Sequence, residues 1–391
     1  VAEPPVSRAA DRPRVGLVVN PIAGLGGRVG LKGTDGAPTV AAALARGAVP
    51  EAGARAAAAI RRLLAAWPAG PPLPFLLAPG GAMGEDAARE AGAEVRVVGP
   101  PPGPGPTTAD DTRRAATALA AERIDLLLVA GGDGTARDVC AAVGREVVVL
   151  GIPAGVKILS GVFATSPAAA GALAAAWLGD GERRTAEGEV VDLDEDAYRR
   201  GIVAPRLFGH LRVPSGRGVQ GRKSPSPPGE ASAAAAIAAD VVERMTPGRA
   251  WVLGPGSTVR TVAERLGLPK TLVGVDVVEV GEAGARVVVA DAAEADLLAV
   301  VGRMPATIVL TPIGGQGFLV GRGNQPISPA VLRAAGGGAL LVVATAEKLA
   351  ALGGRPLLVD TGDPRLDAEL AGHARVVTGY HEAAVMRIAA A

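Results

Sequence analysis

Five short apolar runs recur between Arg14 and Gly151: Arg14–Asn20, Pro74–Ala78, Glu94–Val98, Ile124–Ala130 and Val147–Gly151. Ala/Arg/Glu-rich segments separate them. Arg14–Asn20 reads as a first strand buried on both faces. Glu51–Trp67 has the composition and apolar spacing of a helix, and Pro167–Leu178 closes the series with another. Thr108, with Asp111 three residues on, predicts a capped helix start. Strands alternating with helices imply an α/β fold, a parallel sheet covered on both faces. Ligands of such sheets sit at the carboxyl ends of the strands.

Two of those strand ends carry unusual chemistry. Ile124–Ala130 runs directly into Gly131-Gly132-Asp133-Gly134-Thr135. Glycines let the backbone turn tightly and bare its N–H groups to a ligand. A helix over about Thr135–Val143 would aim its N-terminal donors at the same point, which suits a phosphate. An acid in a phosphate cradle makes sense if it takes a proton or works through a metal ion. A helix cap is the plainer role for Asp133, but three surrounding glycines exceed what capping requires. The other strand end reads Asn20-Pro21-Ile22-Ala23-Gly24-Leu25-Gly26-Gly27. Asn20 either holds this turn or touches a nucleotide, and Gly24, Gly26 and Gly27 offer further N–H groups to phosphate. Lys157 follows the fifth apolar run, where it meets phosphate charge or is a plain surface lysine.

The chain changes character after residue 180. Glu189–Asp194, Arg206–Val213, Thr271–Val280, Ala285–Ala290 and Ala306–Thr311 are rich in Val, Ile and Leu, with helices expected at Ala231–Met245, Ser257–Leu266 and Asp291–Val301. The expected organisation is a loose tail over 1–13, an α/β nucleotide-binding domain over 14–180, and a β-rich substrate-binding domain over 181–391 whose last segment could return to the first domain. Ser215–Gly229 reads as a polar, mobile loop. It contains a GxGxxG at Gly216–Gly221, but Ser-Pro-Ser-Pro-Pro follows where the dinucleotide fingerprint needs a helix. No GxxxxGK[ST] phosphate loop occurs.

Composition removes several function classes. A net charge of +1 gives no bulk attraction to nucleic acid or anionic lipid. No apolar stretch reaches the length of a membrane span, and residues 1–13 lack the apolar core of a signal peptide. A single cysteine, Cys140, excludes intrachain disulfides, fits a reducing cytoplasm and reads as core packing. Three histidines beside that one cysteine argue against a structural zinc site, and no metal-ligand set is expected.

Gly-Gly-Asp-Gly-Thr is shared by NAD kinases, by diacylglycerol and sphingosine kinases and by one class of phosphofructokinases. Three further blocks choose among them. Arg14–Gly36, Gly151–Ser166 (GIPAGVKILSGVFATS) and Thr311–Pro329 (TPIGGQGFLVGRGNQPISP) resemble the bacterial and archaeal ATP-NAD kinase family, including its branch associated with acetoin catabolism. Leu253–Thr258 (LGPGST) is similar to the dinucleotide-touching turn of better-studied members. The resemblance spans about residues 14 to 390. It implies a Rossmann-like N-terminal domain, a β-rich C-terminal domain of the NAD kinase type, and an active site between them. It further implies ATP with Mg2+ as phosphoryl donor, NAD as acceptor, no membrane or nucleic-acid partner, and a homo-oligomer. Asp133 would be the catalytic residue, accepting the hydroxyl proton or orienting it, with Gly131, Gly132, Gly134 and Thr135 around the phosphate and Gly256, Ser257 and Thr258 on the dinucleotide.

The chain departs from the family on the acceptor side. The usual Asn-Glu pair is replaced by Val190–Tyr198 (VVDLDEDAY). Asp192 and Asp194, two apart on a strand, face one side. They either accept bonds from ribose hydroxyls or line a solvated edge. The aromatic residue that usually follows the Gly-Ser-Thr turn is absent, since Val259 and Arg260 stand there. Two rivals stay open: a lipid kinase, disfavoured by having only 4 Phe, 3 Trp and 2 Tyr and no basic amphipathic helix, and a nucleotide sensor of the same fold without chemistry.

Overall fold

The computed structural model describes residues 12–31, 36–100, 105–156, 158–180, 182–193, 205–216, 219, 230–271, 273–282 and 284–391. The chain enters as β1 (Arg14–Val19), α1 (Ala37–Ala45), α2 (Ala52–Ala65), β2 (Phe75–Ala78), α3 (Glu85–Glu90), β3 (Val95–Val97), α4 (Ala109–Ala121), β4 (Leu126–Gly131), α5 (Asp133–Val143), β5 (Val149–Pro153) and α6 (Pro167–Gly179). The strands form one sheet in the order β3-β2-β1-β4-β5, parallel throughout. All five predicted runs are therefore strands of a single sheet. β1 is central because it is apolar on both faces. Val15, Leu17 and Val19 pack with α2 and α6, while Val18 packs with α4 and α5. The box at Thr108 forms as predicted: the Asp111 N–H donates to Thr108 Oγ1 at 3.4 Å and the Thr108 N–H donates to the Asp111 carboxylate at 2.8 Å.

Strand order reverses between β1 and β4. Crossovers lead away from that point in opposite directions and leave a crevice at the strands' carboxyl edge. The two glycine-rich strand ends, after Val19 and after Ala130, are neighbours there.

Next comes an antiparallel hairpin, β6 (Thr185–Leu193) and β7 (Pro205–Pro214), with an irregularity between Val190 and Val191. This hairpin was expected to begin the second domain. Instead Val190, Leu211 and Val213 enter the same buried cluster as Val139, Val149 and Phe163, and Val148 bridges to Arg212. The apolar side of the hairpin extends the first domain's core.

The second domain runs α7 (Glu230–Glu243), β8 (Ala250–Leu253), α8 (Ser257–Arg265), β9 (Asp276–Gly281), β10 (Gly284–Val289), α9 (Glu294–Val301), β11 (Ala306–Leu310), β12 (Phe318–Val320), α10 (Pro329–Ala335), β13 (Leu340–Val343), α11 (Ala346–Ala350), β14 (Leu357–Val359), α12 (Pro364–Leu370), β15 (Gly372–Gly379) and β16 (Glu382–Ala390). Its nine strands form one mixed sheet, β10-β9-β8-β11-β13-β15-β16-β14-β12. The last segment does not return to the first domain. β16 is held between β15 and β14, pairing Val376 with Ala384 and Leu358 with Ala389. Two neighbouring strands satisfy its backbone groups there.

Candidate active site

β4 delivers the chain into the Asp133 turn with little spare room. A Cβ on Gly131 would lie 2.5 Å from both Cβ and Oγ1 of Thr135, so the glycine is what lets the turn close. α5 begins at Asp133, two residues before the expected start, with Gly132 as its N-cap. Asp133 does not cap that helix. Its carboxylate, 7% exposed, accepts the Leu159 N–H at 2.7 Å and the Ser160 N–H at 2.9 Å, one on each oxygen. Ser160 is itself fully buried. Its hydroxyl donates to the Val191 carbonyl at 2.9 Å and accepts the Val191 N–H at 3.0 Å, which ties the segment to β6. Asp133 is thus held in one orientation by two backbone donors, and each oxygen keeps a second lone pair.

Burial pushes the Asp133 carboxyl up to about 7. Hydrogen bonds from Ser160 and Leu159 pull the other way, and the nearby charge of Asp192 adds to the rise. The folded protein therefore keeps a proton that the unfolded chain releases near pH 3.8. The stability this contributes is complete below that value and is lost as pH rises through about 7. Relative to Asp133→Asn, the wild-type protein should lose about 1 kcal/mol per pH unit between roughly pH 4 and 7 and level off above pH 8. Urea denaturation of both proteins across that range measures the difference. A flat difference would show that Asp133 ionises as freely as an exposed carboxylate.

The first strand end is tied to this turn. The Asn20 N–H donates to the Ala130 carbonyl at 2.9 Å, and Asn20 Nδ2 donates to Thr135 Oγ1 at 3.0 Å. Asn20 Oδ1 accepts the Ile22 N–H at 3.3 Å, so Asn20 both holds its own turn and joins the two strand ends. The loop beyond closes on itself. Leu25 and Val29 pack with Val40, Ala43 and Ala48 in a small core of their own. The Gly27 N–H donates to the Gly24 carbonyl at 3.0 Å. Gly24 has φ +75°, and a Cβ there would lie 2.0 Å from the Ala154 carbonyl oxygen. Gly26 lends its carbonyl to the Leu31 N–H at 2.9 Å.

The remaining expected site residues divide by domain. Asp192, on β6, pairs with Arg137 of α5 at 2.8 Å and faces Asp133 electrostatically. Asp194 and Lys157 lie outside the described residues, as do residues 1–11 of the expected tail and most of the 215–229 loop. Gly256, Ser257 and Thr258 open α8 in the second domain. Thr258 is buried, and its hydroxyl and that of Thr311 each accept from Lys348 Nζ at 3.1 Å. Lys348 thus links that turn to Thr311 at the start of the 311–329 segment. Cys140 packs at the edge of the first domain's core, as expected, with its thiol pushed up by burial.

Residues 15–181 match the family model of the ATP-NAD kinase N-terminal domain, and residues 248–388 match that of the ATP-NAD kinase C-terminal domain. The chain belongs to the ATP-NAD kinase family. No curated protein and no solved structure gives a significant match. The first matched region holds Asn20, the Asp133 turn and the Leu159–Ser160 donors, while the β6–β7 hairpin with Asp192 falls between the two. Among the described residues no helix is long and apolar enough to cross a membrane, and no group of three or more His, Cys, Asp or Glu could hold a metal ion.

A polar seam between the two domains was not foreseen from the sequence. Gln316 Nε2 donates to the Ile158 carbonyl at 3.1 Å, Gln325 Nε2 to that of Val156 at 2.7 Å, and Arg322 Nη2 to that of Thr165 at 2.9 Å. These three bonds hold the 156–165 segment that supplies both donors to Asp133. Arg55 of α2 donates to the Pro153 carbonyl and pairs with Asp360, which lies 3.3 Å from Arg322. The Arg322 guanidinium also sits 4.6 Å from the Phe318 ring centre. Burial pulls the Arg322 pKa down to about 10, with the Arg55 charge adding to the fall and Asp360 opposing it. The blocks Gly151–Ser166 and Thr311–Pro329 were visible as motifs, but no spacing rule pairs one with the other.

Proposed function

We propose that the protein is an ATP-dependent NAD kinase, transferring the γ-phosphoryl group of ATP to the 2′-hydroxyl of the NAD adenosine ribose to give NADP. The observation that carries this reading is the Asp133 carboxylate: buried, oriented by two backbone N–H groups, and placed at the reversal of strand order where a nucleotide would lie. Its pKa near 7 makes it a base that is ionised in a large fraction at neutral pH and still able to hold a proton.

In this mechanism the ribose oxygen forms its bond to the γ-phosphorus as the bond to the ADP oxygen breaks, and the hydroxyl proton passes to Asp133. The transition state is loose, so positioning and charge stabilisation do most of the work. Gly131, Gly132, Gly134 and Thr135 at the start of α5 present the phosphate cradle. Asn20 keeps Thr135 in place from the neighbouring strand end. Asp192, whose charge reaches Asp133, would face the acceptor. Magnesium on the phosphate oxygens would screen their charge. Both Asp133 oxygens already carry backbone donors, so the residues fit an ion carried mainly by the nucleotide, with Asp192 as the neighbouring carboxylate that would share it. We place the enzyme in the cytoplasm as a homo-oligomer.

The test is an assay of purified protein with magnesium and ATP or inorganic polyphosphate, offering NAD, NADH and diacylglycerol in parallel. NADP formation is the expected result. A phosphorylated lipid, or tight nucleotide binding without any product, would replace this reading with one of its rivals.

A further inference from the structure

A pocket opens on the seam between the domains. Gly24, Arg28 and Arg55 line it from the first domain, and Gly321, Arg322 and Asp360 from the second. Arg55 projects from α2, which covers the sheet face opposite to α5. The pocket thus has the α2 face of the sheet on one side, while its Arg322 is still within reach of the Asp133 charge. The pocket and the Asp133 turn share a wall, because the Gly131 carbonyl accepts the Ala154 and Gly155 N–H groups at 2.8 and 3.0 Å.

Charge in this pocket is out of balance. Arg28 is paired with Glu51 at 2.7 Å, both about half exposed. Arg55 and Arg322 share the single carboxylate of Asp360. Three guanidinium groups thus face two carboxylates. The excess falls on Arg322, whose side chain is only 4% exposed. Its Nη2 is used, but Nε and Nη1 have no hydrogen-bond partner among the described residues. A buried guanidinium with two idle donors is costly unless something with several acceptor oxygens completes it. The guanidinium fork matches a phosphate oxyanion, which accepts two parallel N–H bonds, better than it matches a neutral acceptor.

We propose that Arg322, with Arg55 and Arg28, forms a second anion site that binds a phosphate group or short polyphosphate chain across the domain seam. The occupant bonds to residues of both domains, so it clasps them together. The site is distinct from the phosphate cradle at Asp133 and does not depend on the protein being a kinase.

Inorganic tripolyphosphate is the probe, titrated calorimetrically into the full-length protein at low ionic strength without magnesium. Asp133→Asn, which removes a carboxylate whose charge reaches Arg322, should bind it at least as tightly as the wild type. Arg322→Met should weaken binding at least tenfold, and Arg322→Lys, which keeps the charge but loses the fork, should weaken it less. Asp360→Asn should tighten it by removing the competing acceptor. If Arg322→Met fails to fold, Arg28→Ala, on the half-exposed rim, should still weaken binding about threefold. Competition separates the sources: displacement by orthophosphate marks a free-phosphate site, and displacement by ATP but not adenosine marks the phosphates of a nucleotide. Absence of binding to wild-type protein, or equal affinity in the wild type, Arg322→Lys and Arg28→Ala, would overturn the assignment.

Discussion

Asp133→Asn should lower turnover about a thousandfold, within the range usually lost with a general base, while the protein stays folded and its NAD affinity changes little. The replacement keeps the shape of the side chain and one acceptor oxygen. Its NH2 group must then face either the Leu159 or the Ser160 N–H, now 2.7 and 2.9 Å from the carboxylate, donor against donor. That mismatch costs about 1–3 kcal/mol. Removing a carboxylate whose ionisation burial opposes offsets part of the cost at neutral pH and above. What cannot be restored is a group that takes a proton near pH 7. The wild-type rate should therefore rise tenfold per pH unit up to about 7 and level above it, following the ionised fraction of Asp133. The residual Asp133→Asn rate should lack that limb. Steady-state kinetics of both proteins from pH 5.5 to 9, with circular dichroism to confirm folding, reads all of this. A fully active Asp133→Asn protein would remove Asp133 from the chemistry.

The first domain was legible because its signals are local. A strand buried on both faces reads as an apolar run, and the Thr108 box announces itself over four residues. The strand ends at Asn20 and Gly131 could be placed at one edge from the alternation of strands and helices alone. Their adjacency depends on strand order, which the sequence does not state. The partners of Asp133 were hidden for a related reason. Leu159 and Ser160 act through backbone N–H groups, which every residue but proline has, so no side-chain pattern marks them. Arg55 and Arg322 were equally invisible: one lies in an Ala/Arg helix where arginines look like a solvated face, and its acceptor Asp360 is 305 residues away. The hairpin misled because strand-rich composition suggested the second domain, whereas its apolar side covers the first. The glycine loop after Asn20 carries a further demand that the sequence does not show, since its glycines serve close packing and turn geometry as well as any ligand.

That last point yields the largest expected effect on stability. Gly24→Ala should destabilise the protein by about 3–5 kcal/mol, whereas Gly47→Ala should cost about 1 kcal/mol. Both glycines have positive φ, +75° and +78°, so an alanine at either position suffers the same left-handed backbone strain. Only their surroundings differ. A Cβ at Gly47 has no atom within 4 Å, while one at Gly24 would lie 2.0 Å from the Ala154 carbonyl oxygen. That oxygen belongs to the backbone just after β5, next to Gly155, whose N–H is bonded to Gly131. No rotamer change can relieve the overlap. Relief requires the loop to lift off the end of β5, which opens its small core of Leu25 and Val29. At roughly 2–4 °C per kcal/mol for a domain of this size, the first domain's melting temperature should fall by about 10 °C in Gly24→Ala and by only a few degrees in Gly47→Ala. Differential scanning calorimetry on the pair isolates the contact from the conformational strain. Equal shifts in the two variants would mean that the loop stands clear of Ala154 and that Gly24 serves the turn alone.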